Sequence, residues 1–215
     1  MSKQQHSARV ERKREQVRQE ILEVARNLVR DDGVEAVTLA SVAGELSMTK
    51  QALYHYFPSK KALVRSLVAT LLSDEVHALT AAVEATNSVE DTLGSLIRAF
   101  YEHYINHLDA FRVVYCQSQL ISGSKSGIDK KTLRNEINPR TRHLFDILEQ
   151  RMSSSDMSKK QRVCVRQLAF TAWTSALGLL TMLGIAEATN DPLVHADNDL
   201  LDMLSNVFNG MTLAA

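Results

Sequence analysis

Apolar residues recur every three or four positions in segment after segment of this chain, which predicts an all-α fold. Val17, Ile21, Val24, Ala25 and Leu28 mark one face of a first helix, and Gly33 supplies its stop. Thr38 precedes Leu39, Val42, Ala43 and Leu46, the spacing of a two-turn helix opened by a hydroxyl cap. Ser47 and Met48 break that pattern, and Thr49 can cap a second short helix in which Ala52, Leu53, Tyr56 and Phe57 face inward. Lys50, Gln51, Tyr54 and His55 are then left outside. Pro58 forbids smooth continuation, and Ser59 can cap a further helix from Lys60 to about Thr86, with Leu63, Leu67, Leu71, Val76, Leu79 and Val83 on its inner rows.

The same periodicity continues beyond it. Ser88 can cap a helix with Asp91 in its first turn, running through Leu93, Ile97, Phe100 and Tyr104 to about His107; residues 111–121 make another, and residues 122–127 read as a loop. A segment follows from about Asp129, then Asn138-Pro139 opens a helix that lasts to Met152, with a second loop over residues 153–156. Residues 167–186 form an uncharged stretch of bilayer-spanning length. A helix buried on all sides, partly against another subunit, explains the same composition. Gln167, Thr171, Thr174, Ser175, Thr181 and the lack of a second span weigh for burial, and Ala172, Ser175, Ala176 and Gly178 would permit close helix contact. A last helix carries Leu200, Leu201, Leu204, Val207, Phe208 and Met211 after a loop over residues 189–199.

Two short helices joined by a tight turn make the helix-turn-helix arrangement, whose second helix enters the major groove of DNA. The outward residues suit such an insertion, since Lys50 offers charged donors, Gln51 can pair bidentately with adenine, and Tyr and Thr hydroxyls can bind phosphate. The same pattern also fits a solvated helical hairpin. Thr38, Val42-Ala43, Leu53-Tyr54, Tyr56-Phe57-Pro58-Ser59-Lys60 and Leu63 decide between them, because they resemble the N-terminal DNA-binding domain of the TetR family of bacterial transcriptional regulators. The resemblance covers about sixty residues. It implies DNA contacts by Thr38, Thr49, Lys50, Gln51, Tyr54, His55 and Lys60, and a dimer formed through the last two long helices. Two departures stand out. Ser47 occupies a turn position where the family usually has glycine, so a positive φ there would strain it, and Leu46 is bulkier than the family's small residue. Gln51 stands where glycine is frequent, so the base-reading side chains are this chain's own.

Charge then sharpens the picture. The chain of 215 residues has a formal net charge of zero, but residues 1–65 hold 12 Lys and Arg against 8 Asp and Glu, and the other 150 hold 13 against 17. A basic N-terminal domain on an acidic body fits DNA binding by one end. The polar start of the chain, with Lys3, Arg9, Arg12, Lys13 and Arg14, reads either as a frayed end or as a basic arm beside the main contact. Cys116 and Cys164 are far apart and fit free thiols in a reducing cytosol, and no secretory signal opens the chain, so the expected location is cytoplasmic. The expected domains are a DNA-binding domain over residues 1–62 and a larger helical effector-binding and dimerisation domain over 63–215.

Within that second domain lie many aromatic and polar-tipped residues. Phe100, Tyr101, His103, Tyr104, His107, Phe111, Tyr115, Gln117, Phe170, Trp173 and Met182 either fill a core or line an apolar pocket with a few convergent polar groups. The family resemblance favours the pocket. His103 and His107 share a helix face but lack further ligands, so no metal, cofactor or catalytic set is expected. The expected function is a homodimeric regulator, usually a repressor, released from a palindromic double-stranded operator by a small-molecule effector. The alternative is a constitutive, ligand-independent DNA-binding protein of the same fold.

Overall fold

The computed structural model describes residues 3–116, 134–135, 138–189 and 197–211. Among them no strand occurs, as the periodicity requires. The chain forms two compact units: Met1–Leu71 with Asp109–Ile128, and Leu72–Leu108 with Asp129–Ala215. The division falls inside a single helix. The expected loop over residues 122–127 and the segment after Asp129 lie outside the described residues.

In the first unit, α1 (Lys3–Asp32) begins far earlier than its apolar stripe. From Lys3 onward the N-terminal stretch is helical. Ile21, Leu22, Ala25 and Val29 are its buried face. Gly33 ends it at φ 78°, donating its N–H to the Val29 carbonyl at 3.0 Å. After one 3-10 turn, Thr38 caps α2 (Leu39–Glu45) in a reciprocal box: Ser41 N–H donates to Thr38 Oγ1 and Thr38 N–H to Ser41 Oγ, both at 3.0 Å. Thr49 caps α3 (Lys50–Tyr56), its Oγ1 accepting from Ala52 N–H at 3.1 Å. Ser59 accepts from Ala62 N–H in the same way at the start of α4 (Lys60–Ala85). The three hydroxyl caps expected in this unit therefore form.

The turn between α2 and α3 closes as a Schellman motif, with Met48 N–H on the Ala43 carbonyl and Ser47 N–H on the Gly44 carbonyl. That motif puts Ser47 at φ 51°, the strain anticipated from its departure from glycine. Leu53 and Phe57 are wholly buried beneath α3, and Arg18 lies over the Phe57 ring at 4.6 Å while donating to Ser66 Oγ at 2.8 Å.

The second unit is built around α5 (Thr92–Ile105), which buries Leu93, Leu96, Ile97, Phe100, Tyr101 and Tyr104. The helix opens later than expected: Ser88 Oγ accepts from Glu90 N–H and organises the turn before Asp91, which is the residue preceding the helix. Against α5 pack α8 (Lys159–Thr189) and α9 (Asp197–Phe208), and α7 (Asn138–Met152) packs on α8. A short α6 (Leu108–Phe111) runs into a looser π turn over Arg112–Cys116 and, from Asp109 onward, belongs to the first unit. The seam of α8 consists of Val165, Ala169, Ala172, Ala176, Leu180 and Leu183, small in the middle and large at the ends. Gly94 lets the end of α9 come close to α5, since a Cβ there would collide with the Asn209 side chain.

Within the single chain α8 is buried along one side, and the expected burial against another subunit concerns the rest of its surface. Val163, Phe170, Met182 and Ile185 stand exposed along one stripe, and α9 exposes Met203, Val207 and Met211. By length and composition α4 as well as α8 could cross a membrane, so a second span is not lacking. Thr171, Thr174, Ser175 and Thr181 satisfy their hydroxyls on the carbonyls four residues back, which is how an apolar helix tolerates them. Cys164 is a half-buried free thiol.

In the core of the second unit Tyr104 Oη donates to the Glu75 carboxylate at 2.6 Å, and Glu75 is only 3% exposed. Burial, and then the Glu75 charge, push the Tyr104 phenol far above its ordinary range, so it stays a neutral donor.

Two stability measurements check this account. Replacing Ser47 with Gly relieves a left-handed conformation that costs about 1–2 kcal/mol and gives back about 0.4–1 kcal/mol in unfolded-state entropy. The urea midpoint should therefore rise modestly. Tyr104→Phe leaves the buried Glu75 carboxylate short of a donor and should cost about 1–3 kcal/mol in the same assay; an unchanged midpoint would refute the role given to this bond.

Candidate nucleic-acid interface

The seven residues of α3 present one polar face. Lys50, Gln51, Tyr54 and His55 are all exposed, at spacings that set them side by side on about 10 Å of helix. The B-DNA major groove is about 12 Å wide, so such a helix fits within it. Lys50 Nζ sits 6.0 Å from the Tyr54 ring centre, a weak cation–π contact that leaves the ammonium in solvent. Thr49 uses its hydroxyl oxygen as a cap acceptor and keeps the hydroxyl proton to offer outward.

Thr38 and Lys60 come from other elements, at the N-cap of α2 and the first position of α4. Lys60 Nζ lies 3.4 Å from both the Glu35 carboxylate and the Glu35 carbonyl, and Glu35 is three residues before Thr38. Thr38 is half-buried and engaged with Ser41. The Lys60–Glu35 pair is exposed, and exposed pairs contribute about 0–1 kcal/mol, so a phosphate can take the lysine from its carboxylate.

Sequence reasoning missed Glu35 and Arg18. Glu35 carries no motif that marks it as the partner of Lys60. Arg18 reads as one more surface charge on an amphipathic helix, yet its guanidinium covers the ring that anchors α3. Ser41 was legible: a hydroxyl three residues after Thr38 is the second half of a capping box.

The aromatic set divides differently from its sequence grouping. In the second unit five rings are linked in series: Tyr104 to Phe100 at 5.3 Å, Phe100 to Trp173 at 6.3 Å, Trp173 to Phe145 at 6.4 Å and to Phe170 at 5.6 Å, and Phe145 to Phe170 at 6.0 Å. They grade from the buried Tyr104 to Phe170, which is 53% exposed. His103 meets Tyr104 edge-on at 4.7 Å, Tyr101 is buried, and His107 is exposed. Phe111 and Tyr115 stack on each other at 5.3 Å within the first unit. Met182 is 63% exposed on the outer stripe of α8, and Gln117 lies outside the described residues.

Phe145, unremarked in the sequence, joins this series because it is the inward aromatic of α7. With Phe170, Val163, Thr141, Arg142 and Arg166 it lines an open groove of about 820 Å³ between α7 and α8. Arg166 closes one end by donating to Glu149 at 2.7 Å and Asp146 at 2.8 Å. Among the described residues no group of three His, Cys, Asp or Glu side chains is placed to hold a metal ion.

Comparison with known proteins agrees with this geometry. The family model described as bacterial regulatory proteins, tetR family, matches residues 21–67, the span from the buried stripe of α1 into α4. The nucleoid occlusion factor SlmA of Mannheimia succiniciproducens is 31% identical over 96 residues, 42% of this chain and 44% of that protein, so the match spans less than half of the relative's length. Whole-fold similarity extends further. A transcriptional regulator of the TetR/AcrR family from Thermobifida fusca superposes with a TM-score of 0.66 over 93% of this chain and all of that one, at 18% identity. The regulator FadR of Bacillus subtilis, solved in complex with stearoyl-CoA, superposes with a TM-score of 0.61 over 91% of this chain and 99% of that one, at 13% identity. The span matched to the tetR family model contains the helix-turn-helix, and the described helices share the fold of these regulators.

Proposed function

We propose that this chain is a cytoplasmic, homodimeric transcriptional repressor that holds a palindromic operator through two copies of α3 and lets go when a small molecule occupies its helical second unit. The observation that carries the DNA-binding part is the exposed row Lys50, Gln51, Tyr54 and His55 on a helix pinned from behind by Leu53 and Phe57. Thr38, Thr49 and Lys60 add phosphate contacts at the ends of α2, α3 and α4. A dimer spaces the two recognition helices about one turn of DNA apart, roughly 34 Å.

The dimer part is supported by the apolar stripes of α8 and α9. Five residues there, Phe170, Met182, Ile185, Met203 and Val207, are each more than half exposed, and large apolar side chains gathered on neighbouring helices mark an interaction surface. A second copy of the same two helices would cover them in a four-helix arrangement.

The effector part is supported by the ring series in the second unit, an apolar lining with the Glu75–Tyr104 pair as its polar end. Of the proposed lining, Phe100, Tyr101, His103, Tyr104, Phe170, Trp173 and Met182 lie on this unit's α5 and α8. The stearoyl-CoA held by the Bacillus subtilis regulator supports the reading that such a fold accommodates a ligand. Because α4 is one helix from Lys60 to Ala85, a ligand that prefers one position of its far end biases the DNA-binding end as well. The reading assigns no reaction to the chain.

The N-terminal match to a protein named for nucleoid occlusion favours a second reading, in which the chain binds DNA without any effector. Mass analysis of the natively purified protein separates the two: a specific bound compound that weakens DNA binding supports the sensor, and an empty protein that binds tightly supports the constitutive reading.

Two further measurements test the sites. Lys50→Ala should weaken binding to the preferred duplex by about 1–3 kcal/mol, and Tyr54→Phe by about 0.5–1.5 kcal/mol for one lost hydrogen bond; anisotropy titrations matching wild type for both would remove α3 from the interface. Met203→Glu combined with Val207→Glu should convert the dimer to monomer in sedimentation equilibrium, and an unchanged mass would move the dimer contact elsewhere.

A further inference from the structure

The basic excess of the N-terminal third does not reside in the helix-turn-helix. Residues 1–14 hold five Lys and Arg against one Glu, whereas residues 15–65 hold seven against seven. The folded DNA-binding head is therefore electrically neutral, and the whole surplus of four charges lies on the part of α1 that precedes its buried stripe.

That part is a helix with no core. Residues 7–16 are exposed on every side, and Val10 is the only large apolar residue among them. A stripe for packing against protein or lipid is missing, so its chemistry is charge alone. Arg9, Arg12 and Lys13 stand at i, i+3 and i+4 and share one face, while Arg14 lies round the helix, three residues after Glu11. None of the four makes an ion pair within the described residues. Glu15 is held by Gln19 at 2.6 Å, and Glu11 stands on the side of the helix away from Arg9.

The place where this segment leaves the domain matters as much as its charge. Packing of α1 begins at Val17 and Arg18, and Arg18 lies on Phe57, the residue that ends α3. From there to Arg9 is about 14 Å of helix, along which a duplex carries about eight phosphates at one charge per 1.7 Å. A cationic rod thus departs from the end of the recognition helix.

On the reading that this chain binds DNA, we infer that the exposed N-terminal extension of α1 is a second DNA contact: Arg9, Arg12, Lys13 and Arg14 bind the phosphate backbone flanking the site read by α3, and supply most of the counterion-release component of affinity. The base-reading surface supplies specificity, and the extension supplies sequence-independent attraction.

The test uses the full chain and the tightest duplex that wild type recovers from a random-sequence pool. Arg9→Gln, Arg12→Gln, Lys13→Gln and Arg14→Gln are combined, glutamine keeping helix propensity. The slope of log affinity against log salt should become shallower by about 3–4 per protomer, at about 0.9 per phosphate contact, with the order of preferred sequences unchanged. A variant carrying lysine at positions 9, 12 and 14 should keep the wild-type slope. Lys50→Ala should alter sequence preference and change the slope by about one. An unchanged slope in the fourfold variant overturns the inference while leaving DNA binding by α3 intact, as does a fourfold variant that binds anionic phospholipid vesicles less well than wild type but DNA equally. A wild-type protein that recovers no duplex overturns the DNA-binding reading and this inference together. Deletion of residues 2–14 repeats the measurement without relying on the substituted helix, and a wild-type slope there also overturns it.

Discussion

A helix of seven residues has no stability of its own in water, because nucleating its first turn fixes several residues for a single hydrogen bond. Everything the outer face of α3 offers therefore depends on what holds its inner face. Leu53 and Phe57 do so by complete burial, each contributing about 1.5–3 kcal/mol of apolar transfer, and Arg18 caps Phe57 from the side of α1. The polar residues between and beside them, Lys50, Gln51, Tyr54 and His55, are directed outward by the same helical period that buries the two anchors. Recognition geometry in this protein is a by-product of core packing.

The hydroxyl caps complete that fixation. Thr38, Thr49 and Ser59 each hold the first turn of a helix, and each removes an orphan N–H that would otherwise need water. The connection between α2 and α3 then has one geometry available, and it demands a left-handed residue. Ser47 accepts that conformation at a local cost because two backbone hydrogen bonds close over it. A strained residue in the turn that sets the angle between the two helices is a modest cost set against the burial of Leu53 and Phe57.

In the second unit the determining feature is asymmetry around α8. One side is a seam of alanines that lets α5 approach closely; the other is a stripe of large apolar side chains left in solvent. The ring series from Tyr104 to Phe170 crosses between these two environments. It is anchored at its buried end by a hydrogen bond between two ionisable groups, of which the phenol is held neutral by burial.

Local chemistry was legible in the sequence. The helix starts at Thr38, Thr49 and Ser59, the stop at Gly33, the strain at Ser47 and the outward row on α3 all follow from interactions spanning four or five residues, and the structure has each of them. What depends on residues far apart was not legible. The pairing of Lys60 with Glu35, the cover of Phe57 by Arg18, the Glu75–Tyr104 bond and the recruitment of Phe145 into the aromatic series join elements whose approach no local pattern specifies. The same holds for α8, whose uncharged composition fits burial on all sides equally well. Only packing decides which stripe meets α5 and which faces solvent, because hydrophobicity is a property of the residue and burial is a property of its neighbours.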